Sequence, residues 1–169
     1  NKINSLNSDF KVKINWEFKA HFLKKNVINW KSDFQSGGGI IRFYGIHLIA
    51  VLSALDYENY KLVKLQNNTQ TIIFNIKNPN KPEIEILINI DSYIEKFTIN
   101  IHEENIKNKL TLVDIKDPFE KQNNKKLMQL DRRVQNIRDY LIEKNNFIQN
   151  LIFNKKVVKL WSDIEKAFL

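Results

Sequence analysis

The chain has 169 residues, 43% of them hydrophobic and 27% charged, which is enough for one domain with a real core and short for two. Lys and Arg number 27 against 19 Asp and Glu, giving a net charge of +8, and there is no cysteine. Disulfides, thiolate metal sites and cysteine nucleophiles are thereby excluded, and an intracellular, reducing compartment (cytoplasmic or nuclear) is expected.

No apolar run reaches ~18 residues, so no membrane-spanning helix is expected, and no secretory signal opens the chain. The first residue is Asn1 rather than Met, which reads as a fragment or processed form, with a removed leader left open. Only Arg42, Arg132, Arg133 and Arg138 are arginines, so the basic excess is carried by lysine. Lysine lacks the forked guanidinium that reads bases and carboxylates bidentately. The abundance of Asn, Ile and Lys also matches the codon bias of AT-rich genomes.

In chain order, residues 1–10 read as a flexible end. Lys11 to Phe22 is the clearest strand: Val12, Ile14, Trp16, Phe18, Ala20 and Phe22 share one face, and Lys11, Lys13, Asn15, Glu17, Lys19 and His21 the other. Lys24 to Ser36 is a connector with Trp30, Phe34 and a short helical turn. Gly37-Gly38-Gly39 reads as a flexible linker or tight turn rather than a phosphate cradle, since no G-x-x-x-x-G-K-[ST] or G-x-G-x-x-G pattern surrounds it. Ile40 to Leu55 is nearly all apolar. Ile41, Tyr44, Leu48, Val51, Leu52 and Leu55 suit a helix, and a buried strand interrupted at Gly45 is the alternative.

Asp56 to Asn59 is a turn, and a ladder of strands follows to Ile101. Its sets are Val63 and Leu65; Ile72, Phe74 and Ile76; Ile84, Ile86, Ile88 and Ile90; and Phe97, Ile99 and Ile101. The spacing of two and the β-branched isoleucines mark half-buried strands. Asn67-Asn68 is a hairpin turn, and Asn78 to Pro82 a longer loop. Lys109 to Ile115 is a further strand, stopped by Asp117-Pro118. Glu120 to Lys126 is a charged connector.

From Leu127 the period changes. Leu127, Leu130, Val134, Ile137, Leu141, Ile148 and Leu151 fall at helical spacing, as one long helix or two broken near Asn145-Asn146. This stripe packs on the sheet or meets a partner helix, being short of the ~3–4 clean heptads a coiled coil wants. A last helix carries Val157, Leu160, Trp161, Ile164 and Phe168, with Asp163 and Glu165 on its wet side. The expected fold is α+β, an antiparallel sheet of about five or six strands against C-terminal helices. Residues 11–120 form the strand-rich part of a single domain, and 121–169 the helices packing on it.

Chemistry is sparse. His21 falls on a polar strand face and His47 in the apolar run, as a core or boundary residue. His102 opens His102-Glu103-Glu104-Asn105-Ile106, where Ile106 replaces the second histidine of a zinc motif. No serine sits in a nucleophile elbow. Glu83 and Glu85 share a strand face that reads as wet. Asn67-Asn68-Thr69 matches a glycosylation acceptor without a secretory signal to support it. No nucleophile, base and oxyanion set can be assigned. Neither a catalytic residue nor a cofactor or metal ligand is expected, and an enzyme with a site invisible in sequence stands last.

Phe74-Asn75-Ile76-Lys77-Asn78-Pro79, the strand after Pro82 and the closing Leu160 to Phe168 helix together resemble the RWD-type domains of kinetochore subunits. The resemblance spans residues 40–169 and rests on the order of elements. It implies a non-catalytic docking module, often half of a heterodimer, and carries over no functional residue. The long Lys11 to Phe22 strand and the segment from Ile106 to Asn124 depart from that pattern.

The expected function is protein–protein docking through the C-terminal helices, with Val134, Ile137, Leu141 and Trp161 as partner-binding candidates and a heterodimer or homo-oligomer partner. The alternative is nucleic-acid binding through Arg132, Arg133, Arg138, Lys155, Lys156 and Lys159, whose clustering would neutralise phosphates.

Overall fold

The computed structural model describes residues 3–27, 29–57, 59–103, 106–116, 118 and 146–168. Among the described residues six strands form one sheet: β1 (Phe10–Lys19), β2 (Lys61–Asn67), β3 (Thr71–Asn78), β4 (Lys81–Asn89), β5 (Asp91–Glu103) and β6 (Ile106–Ile115). Between β1 and β2 lie a short helix α1 (His21–Lys24) and α2 (Ile46–Ala54), which the chain enters through a π-helical turn, Ile41–Gly45. The 23-residue helix α3 (Asn146–Phe168) closes the chain.

The sheet order is β2-β3-β4-β1-β5-β6, so the first strand lies near the centre. It pairs antiparallel with β5 but parallel with β4. The expected antiparallel sheet is therefore a mixed one. The reason lies in connectivity: β4 and β5 are separated by Ile90 alone, yet they flank β1 instead of pairing with each other. The chain crosses the end of β1 at that point, where the Ala20 N–H donates to the Ile90 carbonyl at 2.7 Å. Side-chain alternation is the same for either strand direction, so the parallel pair leaves no periodic signature.

Register aligns the core into three rows across four strands. They are Ile76–Ile84–Val12–Ile101, Phe74–Ile86–Ile14–Ile99 and Ile72–Ile88–Trp16–Phe97. Leu48, Ile49 and Leu52 of α2 and Leu160 and Ile164 of α3 complete the same cluster.

Several boundaries differ from expectation. β1 ends at Lys19, and Phe22 reaches the core from α1. For Ile40 to Leu55, by contrast, the helix is the reading that holds and the buried strand is not formed. The Asn78–Pro82 loop is only a two-residue turn, with Asn78 opposite Lys81 and the Asn80 N–H donating to Asn78 Oδ1. Pro82 lies inside β4 at a register shift, where a missing N–H costs no ladder bond. Ile148 and Leu151 belong to α3, which runs through without the expected break before Val157. The stripe from Leu127 to Leu141, with Val134, Ile137 and Leu141 in it, lies outside the described residues, as do Arg132, Arg133 and Arg138. No described helix is long and apolar enough to cross a membrane.

Ile14 and Ile86 face each other in the middle row and are fully buried. Truncating either to Ala is expected to cost about 2–5 kcal/mol in urea unfolding, while Ile94→Ala at a 61% exposed site should stay within about 0.5 kcal/mol.

Candidate interaction surface

The triple glycine is a packed turn. Gly37 N–H donates to the Phe34 carbonyl at 3.1 Å, Gly38 N–H to Asp33 at 2.8 Å and Gly39 N–H to Lys31 at 2.9 Å. With all three amides spent on the chain's own carbonyls, no nest remains for a phosphate. Gly37 and Gly39 hold φ of 88° and 98°, and a Cβ on Gly38 would stand 2.0 Å from the Trp30 carbonyl oxygen. The loop is tied to the helices by Arg42, which donates to the Phe34 carbonyl at 2.8 Å, stacks 4.2 Å above the Phe34 ring and pairs with Glu165 of α3.

The three histidines stay apart. His21 begins α1 and is exposed. His47 lies at the surface of α2 with its ring 6.5 Å from that of Trp16, and this partial burial lowers its pKa. His102 stands opposite Lys11 and Lys109. Burial lowers its pKa too, helped by the charges of Lys13, Lys109 and Lys11. Among the described residues, no three His, Asp or Glu side chains gather where they could hold a metal ion.

Glu83 and Glu85 belong to a lattice on the sheet face turned from the core. Glu85 meets Lys11 at 3.0 Å and Lys13 at 3.1 Å. Glu83 meets Lys77 at 2.9 Å and accepts from the buried Asn75 amide at 3.0 Å. Each carboxylate already has cations beside it, so the pair has no call for a metal. Burial pushes the Glu85 carboxyl up, but Lys11 and Lys13 together pull it further down, below its ordinary value.

The C-terminal helix is held by more than its apolar face. Asp163 accepts from the Tyr60 hydroxyl at 2.8 Å, Glu165 pairs with Arg42, and Lys156 meets Asp56 at 2.7 Å. On the expected wet side of α3, Asp163 and Glu165 are thus half-buried and engaged rather than free, and Asp163 also lines a groove on the outer side. Trp161 is half-buried against the core, with its indole N–H buried and without an acceptor among the described residues. The opposite side of α3 carries exposed apolar groups: Leu151 (46%), Ile152 (51%) and Val158 (57%). Leu151 and Val158 line a groove of about 600 Å³ together with Lys155, Lys159 and Lys166. Of the lysines expected to act together, Lys155 and Lys159 share this groove, while Lys156 turns to Asp56.

Sequence patterning missed Ile152, Val158 and Lys166 as surface features. The signal was present: Ile152 and Val158 lie outside the positions that build the core stripe of the same helix.

No protein family's profile matches the chain, and no curated protein matches it. Among the solved structures similar to part of it are two of one enzyme. The WlbA (WbpB) dehydrogenase from Thermus thermophilus in complex with NAD and UDP-GlcNAcA aligns with 69% of this chain and 38% of its own, at 12% identity and a TM-score of 0.46. The same enzyme with NAD and alpha-ketoglutarate aligns with 62% of this chain and 35% of its own, at 14% identity and a TM-score of 0.41. The chain thus spans well under half the length of either structure. A likeness this distant carries no argument about what the chain binds or does.

Two outcomes test this surface. Gly38→Ala is expected to lose at least about 2 kcal/mol in chemical unfolding, because its Cβ meets backbone, whereas Gly37→Ala loses about 1 kcal/mol through its φ alone. Glu85 titrates lower when folded than its ordinary 4.5, so its stabilisation is present above that pH and is lost as pH falls through the folded value. Lys13→Met should flatten this acid limb of the stability profile followed by thermal unfolding.

Proposed function

We propose that this chain is a non-catalytic docking module that takes another protein on the outward face of α3. One observation carries the reading. The helix is fixed on its inner side by Leu160, Ile164 and three polar clamps, yet it keeps Leu151, Ile152 and Val158 exposed on the outside. An anchored helix with an apolar outer stripe presents a preformed site, which lowers the ordering cost of binding. The role agrees with the resemblance to RWD-type docking domains. Trp161 serves it by positioning α3 rather than by touching the partner.

Nucleic-acid binding is the second reading, favoured by Lys155, Lys159 and Lys166 on one helix face. Its cations among the described residues are lysines, with Arg132, Arg133 and Arg138 outside them, and it leaves the apolar groups between the lysines without a role.

A photo-crosslinking residue placed at Val158 separates the two in extract of the source cells, with Tyr93, 92% exposed on β5, as the control position. Protein adducts at position 158 and not at 93 are expected. Adducts with nucleic acid alone, or none that depend on position, would reject the docking reading.

A further inference from the structure

We infer that the partner received by α3 is an acidic amphipathic helix. This rests on the docking reading above and names the chemistry of what docks.

The folded chain sorts the charges of α3. Both of its carboxylates are engaged by the rest of the chain, Asp163 by the Tyr60 hydroxyl and Glu165 by Arg42, and Lys156 is engaged by Asp56, although Asp163 also lines the outer groove. Lys155, Lys159 and Lys166 line the outer groove and have no ion-pair partner among the described residues. The outer groove therefore presents three cations against a single carboxylate, Asp163, around two apolar groups.

Spacing defines the occupant further. Leu151 and Val158 are two helical turns apart, roughly 10.5 Å along the axis. A helix lying along α3 meets both with apolar residues at i and i+7, and its flanking positions fall beside the lysines. Acidic side chains at those flanks complete the charge match.

The same arrangement disfavours other occupants. A second copy of this chain, docked on a two-fold axis, would set its own Lys155, Lys159 and Lys166 near these three, since an isologous contact repeats the same patch. A nucleic acid would meet the lysines but would lay phosphate against Leu151 and Val158, which then stay uncovered.

The test uses the full chain and two synthetic helices of about 18 residues with identical leucine spacing. One carries Glu at the flanking positions and the other Lys, and a DNA duplex is the third probe. Binding is followed by fluorescence anisotropy at ~50 mM and ~300 mM salt. The Glu helix is expected to bind at least about tenfold tighter than the Lys helix, and more weakly at the higher salt. Lys155→Glu with Lys159→Glu should reverse the preference, and Leu151→Asp should remove binding of both, with thermal unfolding of each variant unchanged.

Equal binding of the two helices, abolished by Leu151→Asp, would keep the docking reading and overturn the acidic partner. No binding of the Glu helix would overturn it too, with docking itself then decided by the crosslinks at position 158. Tighter binding of the DNA duplex, or a dimer in sedimentation that Val158→Asp dissolves, would assign the face to another occupant and overturn it as well.

Discussion

The insertion of β1 between β4 and β5 is the constraint on which the rest of the structure depends. Val12, Ile14 and Trp16 supply the middle of every core row, and each meets an isoleucine from β4 on one side and an apolar residue of β5 on the other. Without β1, the strands β4 and β5 would have no neighbour between them, and the sheet would split into β2-β3-β4 and β5-β6 halves. Because β1 is the first strand and its partners come about seventy to ninety residues later, the central pairing closes a long loop, an entropic cost that burial of the isoleucine rows must exceed.

The two sides of that sheet solve different problems. The inner side is dry and apolar, and α2 and α3 cover it. The outer side alternates Lys11, Lys13 and Lys77 with Glu83 and Glu85, so that each charge stands near an opposite one. Partly exposed pairs of this kind add little stability each, but they leave little net field on the sheet. The exposed positive charge of α3 stands out against that balance.

The helix α3 joins these themes. Its apolar inner stripe is held by Leu160 and Ile164, and its direction is fixed by polar contacts to Tyr60, Arg42 and Asp56, which lie far away in sequence. Arg42 extends the hold to the glycine turn through the Phe34 carbonyl and ring. The segments that looked chemical in the sequence thus serve architecture: the triple glycine lets the chain pass close to Trp30, and the paired glutamates neutralise lysines.

The sequence by itself determined which residues are buried in β1, β3, β4 and β5, because alternation of apolar and polar side chains encodes the face of a strand wherever one side is dry; in the edge strands β2 and β6 it did not, since Val63, Leu110 and Ile115 are exposed while Leu62 and Val113 pack on the core. It also marked the apolar face of the last helix and a hairpin turn next to Asn67, which closes β2 while Asn68 to Gln70 make the turn. Only the tertiary structure decided that β1 runs parallel to β4, that Ile40 to Leu55 is a helix, that Asp163 and Glu165 are engaged by Tyr60 and Arg42, and that Leu151 and Val158 stay outside. Each of those turns on a partner distant along the chain. A period of two or of 3.6 residues says which side of an element is greasy, but it does not say what lies across from it.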